Sequence, residues 1–362
     1  MIAYYVDGSI HQIPSFIHIA RVLGGIVFTD DRGSHDILRQ YYADVNCEFY
    51  PDLQLLRERL TVLRPEAVVQ PDYYKEKLAL PFQTLHIQVF HGASDKRYGI
   101  SSRTHGYDFF LIAGERGRAR KTAAGILKPG NYAMVGYPKA DRIFRGEFDK
   151  EMAKREMGLD PGLPTILYAP TWRDAKQNSS LPRFCSEIMS NLPAGYNLLV
   201  KPHPNTKRFD RKYYTLLTRL AAAKPEQIKL LGFAHDAIPV MAGADLLLSD
   251  ISTVAQEFLC FQRPMVFLDP RRIPMGKEKI WLWRCGPVVK KRGMVWNTVR
   301  EALAHPDQYA RERHETLAMV FYQPDGHAAE RAAEAIGTYI AGRRLPSRNG
   351  KTQNTASMPG GR

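Results

Sequence analysis

An α/β protein built on two parallel sheets is what this sequence predicts, from three observations. Short apolar runs rich in Val, Ile, Leu, Phe and Tyr alternate with stretches whose apolar residues recur at helical spacing. The runs lack the strict apolar–polar alternation of a strand with one wet face, so helices cover both faces of each sheet. The alternation breaks in a charged stretch near residue 150 and then restarts, and 362 residues exceed one ordinary core. Two successive α/β units with a hinge near 145–163 follow. They form a pair of Rossmann-like domains with parallel sheets facing a cleft.

In the first unit the strands are IAYYV, GGIVFTD, EAVVQ, TLHIQVF, DFFLIAG and NYAMVG, with SFIHIARVL and LQLLRERLTVL as helices between them. The charged GEFDKEMAKREMGLD and the turn residues Pro161, Gly162 and Pro164 lead into TILYAP. NLLVKP, IKLLG, DLLLSD and PMVFLD are the next strands, and HDAIPVMAG and STVAQEFLCFQ the intervening helices. HAAERAAEAIGTYIAG has a strong helical pattern. The closing RLPSRNGKTQNTASMPGGR has no acidic and few apolar residues, the composition of a disordered tail. The boundaries expected are 1–147 and 148–325 for the two domains, 326–343 for a terminal helix and 344–362 for the tail.

Composition narrows the class. A hydrophobic fraction of 44% and a charged fraction of 24% are those of a soluble globular protein. Cys47, Cys185, Cys260 and Cys285 form no C-x-x-C pair and no zinc-type cluster, which suggests a reducing compartment and no structural metal. No apolar run approaches the roughly 20 residues that span a bilayer, and MIAYYVDGSIHQIP lacks the plan of a signal peptide. A cytoplasmic location is expected. The net charge of +14 favours polyanions: nucleic acid, anionic headgroups or phosphorylated substrates.

Ligands of open α/β sheets sit beyond the carboxyl ends of the strands, and four strand ends here carry polar clusters. HIQVF runs into His91-Gly92, with Lys96 at the same rim; alone, His91 is either a satisfied loop histidine or a base at the mouth of a cleft. TILYAP runs into Thr171-Trp172-Arg173-Asp174, which is an aromatic packing pair or a rigid presenting loop behind Pro170. NLLV runs into Lys201-Pro202-His203-Pro204, whose prolines hold the histidine in extended backbone. DLLL runs into Ser249-Asp250-Ile251-Ser252-Thr253, where Ser252 or Thr253 caps a helix whose N-terminus can also receive an anion. Glu257, one turn into that helix, has the reach for ribose hydroxyls or is an ordinary surface glutamate.

The stretches HGASDK, GYPKAD, ILYAPTWRD, KPHP and SDISTVAQEF, in this order between about residues 80 and 270, resemble the CDP-glycerol glycerophosphotransferase family. That family builds the polyol-phosphate chains of teichoic acids and related capsules. The resemblance implies a GT-B fold, with the nucleotide held mainly by the second domain and a C-terminal helix crossing back to the first. It implies that His91 is the catalytic base, supported by Gly92 and Lys96. It further implies that His203 contacts the donor phosphates and that Ser252 and Thr253 are the hydroxyl pair of the phosphate loop. Arg173 and Lys201 are expected at the same phosphates and Glu257 at the ribose, with Ser249 and Asp250 in support. Thr253 replaces a more usual serine, and the region before residue 80 matches poorly. The implied donor is a CDP-activated polyol, the acceptor a lipid-linked or glycan hydroxyl, and CMP the product. No cofactor or metal is required by these motifs.

Between Arg271 and Arg292 lie eight Lys/Arg against one Glu, with Trp281 and Trp283 among them. This is either a bilayer-interface element on an anionic membrane or a solvated loop with its tryptophans packed inward. A peripheral position on the inner face of the cell membrane is the expectation. The rivals are a GT-B glycosyltransferase using a nucleotide sugar, a sugar-nucleotide 2-epimerase, and a basic membrane- or nucleic-acid-binding protein. No RNA- or DNA-binding module is visible, so no nucleic-acid partner is expected. The oligomeric state, the polyol, the acceptor and the number of additions are not encoded in any residue pattern here.

Overall fold

The computed structural model describes residues 1–71, 78–89, 100, 102–173, 178–232, 236–250, 252–271 and 280–344. The first sheet holds β1 (Ile2–Val6), β2 (Ile26–Thr29), β3 (Cys47–Phe49), β4 (Ala67–Gln70), β5 (Leu85–Val89), β6 (Phe109–Ile112) and β7 (Tyr132–Met134). Their order is β3-β2-β1-β4-β5-β6-β7, and every pairing is parallel. The second sheet holds β8 (Thr165–Ala169), β9 (Asn197–Val200), β10 (Ile228–Leu230), β11 (Leu246–Ser249), β12 (Met265–Leu268) and β13 (Val288–Val289). Its order is β10-β9-β8-β11-β12-β13, again parallel throughout. The expected α/β class with two parallel sheets is what the chain adopts.

Central strands are buried on both faces, as continuous apolar runs require: every residue of β4, β8 and β11 is buried. The first sheet's core includes Tyr4, Ile13, Phe16, Val69 and Leu111, and is completed by Ala332, Ile336 and Ile340. Those last three lie on α14 (Ala328–Arg344), which packs against α1 (Ile17–Leu23). The last described helix therefore returns to the first.

The charged stretch after residue 145 is more than a connector. It forms α6 (Lys150–Glu156), capped by Asp149, which accepts from Met152 N–H at 2.6 Å. Lys150 and Lys154 both reach Asp245 just ahead of β11, at 2.6 and 2.7 Å. Burial opposes the charge on Asp245, yet these two ammoniums and the Thr165 N–H hold its carboxyl below the ordinary range. Helix α6 is thereby fastened to the second sheet.

The stretch GYPKAD follows β7 and fixes the returning chain. Gly136 has φ +91°, and a Cβ there would lie 2.7 Å from the Tyr322 carbonyl oxygen, so both backbone and space call for glycine. Asp141 accepts from the N–H groups of Ala328 and Ala329 at 3.0 and 2.8 Å, which caps α14 across the fold.

Candidate active site

The second sheet runs outward from β8 through β9 to β10, then returns to β11 on the other side of β8. A strand order that reverses in this way opens a crevice at the carboxyl ends of its central strands. The segments after β8, β9 and β11 lie there, and they are the ones singled out in the sequence.

Asp250 organises this end of the sheet. Its Oδ1 accepts from Thr171 N–H at 2.9 Å, and its Oδ2 accepts from the N–H and hydroxyl of Ser180, both at 2.7 Å. Burial pushes the Asp250 carboxyl up to about 6 against the pull of those three donors. Ser249 donates its hydroxyl to the Ala169 carbonyl at 2.7 Å and joins the ends of β11 and β8. Both residues are buried at this end of the sheet.

Above them, Arg173 is exposed but aimed. Its Nε lies 3.0 Å from Asp210 Oδ1, and its backbone N–H donates to Asp210 Oδ2 at 3.1 Å. Asp210 is buried at the junction of α8 (Pro204–Phe209) and α9 (Arg211–Ala222). His203 has ψ 142°, the extended backbone imposed by Pro204, and serves as N-cap of α8. Its Nδ1 accepts from Asn205 N–H at 3.1 Å, so a neutral His203 carries its proton on Nε2. The Trp172 ring packs 6.3 Å from the His203 ring and 5.8 Å from that of Phe209, which places it against α8.

The helix after β11 departs from expectation in its cap. Thr253 occupies the N-cap position of α11 (Val254–Phe258) without a capping side-chain bond, and Ser252 Oγ accepts from Val254 N–H only at 3.4 Å. Thr253 has helical backbone, φ −67° and ψ −26°, instead of the extended conformation from which a capping hydroxyl turns back. Neither hydroxyl makes a short bond to the helix.

Glu257 is no surface glutamate. It is buried, and its Oε1 accepts from Tyr137 Oη at 2.7 Å and from Lys139 Nζ at 2.9 Å. Lys139 also lies 3.6 Å from Asp236. Burial alone lowers a lysine, but Glu257 and Asp236 together keep Lys139 above its ordinary value. Burial and the charge on Glu257 hold the Tyr137 phenol well above its own, so it remains a donor. The Lys201 ammonium stands beside this group, while its backbone N–H donates to the Tyr168 carbonyl at 2.9 Å. Burial, followed by the like charge of Lys139, lowers its ammonium below the ordinary range. The charges on Glu257 and Asp236 offset this only in part, and an anion placed against Lys201 would add to them.

The structure thus brings Arg173, Lys201, His203, Ser249, Asp250, Ser252, Thr253 and Glu257 to adjacent strand ends of one sheet. His91, Gly92 and Lys96 lie outside the described residues, as do Asp174, 272–279 and the tail; β5 ends at Val89 just before them. Asp210, Tyr137, Lys139 and Asp236 were given no role by the sequence. Asp210 had a signal, an Asp between two helical patterns, and GYPKAD was singled out without a task for its Tyr or Lys.

Trp281 and Trp283 follow the inward-packed alternative, as partly buried rings. Both pack against the core cluster that contains Leu282, Cys285 and Leu317, and the Arg116 guanidinium lies 4.0 Å over the Trp281 ring. No helix among the described residues is long and apolar enough to cross a membrane.

Two Rossmann-like units meeting along a charged seam, with the polar strand ends of the second facing it, define the GT-B architecture. A solved wall teichoic acid polymerase TagF superposes with a TM-score of 0.68 over 95% of this chain and 90% of that one, at 14% identity. The family model for CDP-glycerol:poly(glycerophosphate) glycerophosphotransferase matches residues 52–338, and the chain belongs to that family. Teichoic acid glycerol-phosphate primase of Bacillus subtilis (strain 168) is 27% identical over 205 residues, 51% of this chain and 50% of that one. The protein of the same description from Bacillus spizizenii (strain W23) is 29% identical over 145 residues, 39% of this chain and 34% of that one. The chain thus matches half or less of the length of these curated relatives.

Proposed function

We propose that the protein transfers glycerol phosphate, or a related polyol phosphate, from a CDP-activated donor to a hydroxyl of a lipid-linked or glycan acceptor. The observation that carries this is the set of donors at neighbouring strand ends. Arg173 is aimed by Asp210, His203 has its proton directed to Nε2, and the Lys201 ammonium is only partly offset by Glu257 and Asp236. Three donors of this kind suit a diphosphate, with the hydroxyls of Ser252 and Thr253 beside them and Glu257 left for the ribose. The neighbouring TagF was solved after a soak with CDPG, which supports the same donor here.

In the reaction the acceptor oxygen attacks the β-phosphorus of CDP-glycerol, the bond to the bridging oxygen breaks, and CMP leaves as a new phosphodiester forms. His91 takes the proton of the attacking hydroxyl, a role worth about 10²–10⁴-fold. The donor side needs only positioning and charge, which these side chains supply without a bound metal. The pathway served is teichoic acid-like or capsule polymer synthesis. The Lys and Arg of 271–292 attract the protein to the anionic inner face of the membrane by charge alone, since its tryptophans are packed inward.

His91→Ala is expected to abolish CMP release from CDP-glycerol while leaving donor binding in place. His203→Ala is expected to weaken the donor in calorimetric titration. Near-normal turnover by the His91 variant overturns the proposal. Release of a nucleoside diphosphate from a nucleotide sugar, with no CMP from CDP-glycerol or CDP-ribitol, points instead to a sugar transferase.

A further inference from the structure

The carboxylate assigned to the ribose is gripped from the opposite unit. Tyr137 and Lys139 leave the first sheet after β7, and both place a donor on the same oxygen of Glu257, Oε1, at 2.7 and 2.9 Å. Oε2 accepts no hydrogen bond among the described residues. Lys139 is only 5% exposed, and its charge is divided between Glu257 and Asp236, both carboxylates of the second unit. A buried pair of this kind contributes little net stability, because desolvating the ions offsets their attraction. Its best-attested use is to fix one arrangement against others.

Fastening the two units together is already done elsewhere. Arg116 lies over Trp281, and Tyr137 stacks its ring on Phe321 at 5.0 Å. None of those contacts involves Glu257. We infer that Lys139, assisted by the Tyr137 hydroxyl, is a positioning residue of the donor site. It holds Glu257 by Oε1 and leaves Oε2 for the ribose diol of the nucleotide. The inference rests on the CDP-activated donor proposed above. Its consequence is that the ribose contact is formed only while the two units are docked.

The test is calorimetric titration of the full chain with CDP-glycerol, alongside thermal unfolding of each variant without donor. Lys139→Met leaves the carboxylate short of a charge-assisted hydrogen bond, and its Kd is expected to rise roughly 10- to 100-fold. Tyr137→Phe keeps the ring stack and removes one donor, for a rise of about 3- to 10-fold. Lys139→Arg restores most of the affinity. If Lys139 acts through Glu257, the double variant Lys139→Met/Glu257→Gln binds no more weakly than Glu257→Gln alone. Additive losses overturn the inference, as does donor affinity within about twofold of wild type in Tyr137→Phe and Lys139→Met. Should Lys139→Met fail to fold, Tyr137→Phe decides by the same twofold margin. Wild-type affinity in Glu257→Gln removes the ribose contact and the inference together. A wild-type protein that binds no CDP-glycerol overturns the donor proposal itself, a result distinct from all of these.

Discussion

Two polar stretches at strand ends, Ser249–Thr253 after β11 and Tyr137–Asp141 after β7, do opposite kinds of work. In the first, Ser249 and Asp250 turn their polar atoms onto backbone and hydroxyl groups of the same sheet and its helices. They build a floor. In the second, Tyr137 and Lys139 reach Glu257 across 120 and 118 residues of sequence, and Asp141 reaches the start of α14 across 187. They tie distant parts of the chain together. A strand end rich in hydroxyls and carboxylates therefore marks a site only in general. Which of its side chains face a ligand depends on where their hydrogen bonds are already committed.

Breaking the floor should cost most. Asp250→Asn turns one acceptor into a donor facing Thr171 or Ser180, and a loss on the order of 3 kcal/mol is expected by urea denaturation. Because the folded Asp250 pKa, about 6, lies above the unfolded value, its contribution is complete below about pH 4 and is lost as the pH rises through 6. The gap between wild type and Asp250→Asn should accordingly be widest in acid and narrow toward neutrality. A gap that widens with rising pH would reverse the sign of the burial effect.

Loosening the tie comes next. Asp141→Ala removes both bonds that cap α14 and should cost about 1–2 kcal/mol, with faster proteolysis within α14. Unchanged protection of α14 would mean that packing against α1 holds it unaided. The smallest effect is expected for Ser249→Ala, about 1 kcal/mol for one buried hydrogen bond, falling on stability rather than on the donor Kd. A clear loss of donor affinity there would move Ser249 out of the floor and into the site.

Most of the fold was legible because buried parallel strands write themselves as apolar runs. β3 and β13 were not, since edge strands of 3 and 2 residues carry no pattern. Helix α4 (Glu115–Ala123) escaped for another reason: ERGRARKTA has almost no apolar residue for a helical period to repeat. In the site, Arg173, Lys201 and His203 were legible because the strands that deliver them are sequence neighbours of the motifs. Asp210's hold on Arg173 and the grip of Lys139 on Glu257 were not, because both depend on packing between elements that no local pattern relates. The tryptophans of 271–292 taught the converse lesson, that residues adjacent to a basic run can belong to the core.

The return of α14 to α1 also sets an order of events during synthesis. The second sheet is drawn from one continuous run of chain, and its core clusters have all their residues once Phe321 has been made. The first sheet cannot: Ala332, Ile336 and Ile340 fill its core, and they are translated nearly 200 residues after Val135, which belongs to the same cluster. The half of the molecule that leaves the ribosome first is therefore the half that finishes folding last.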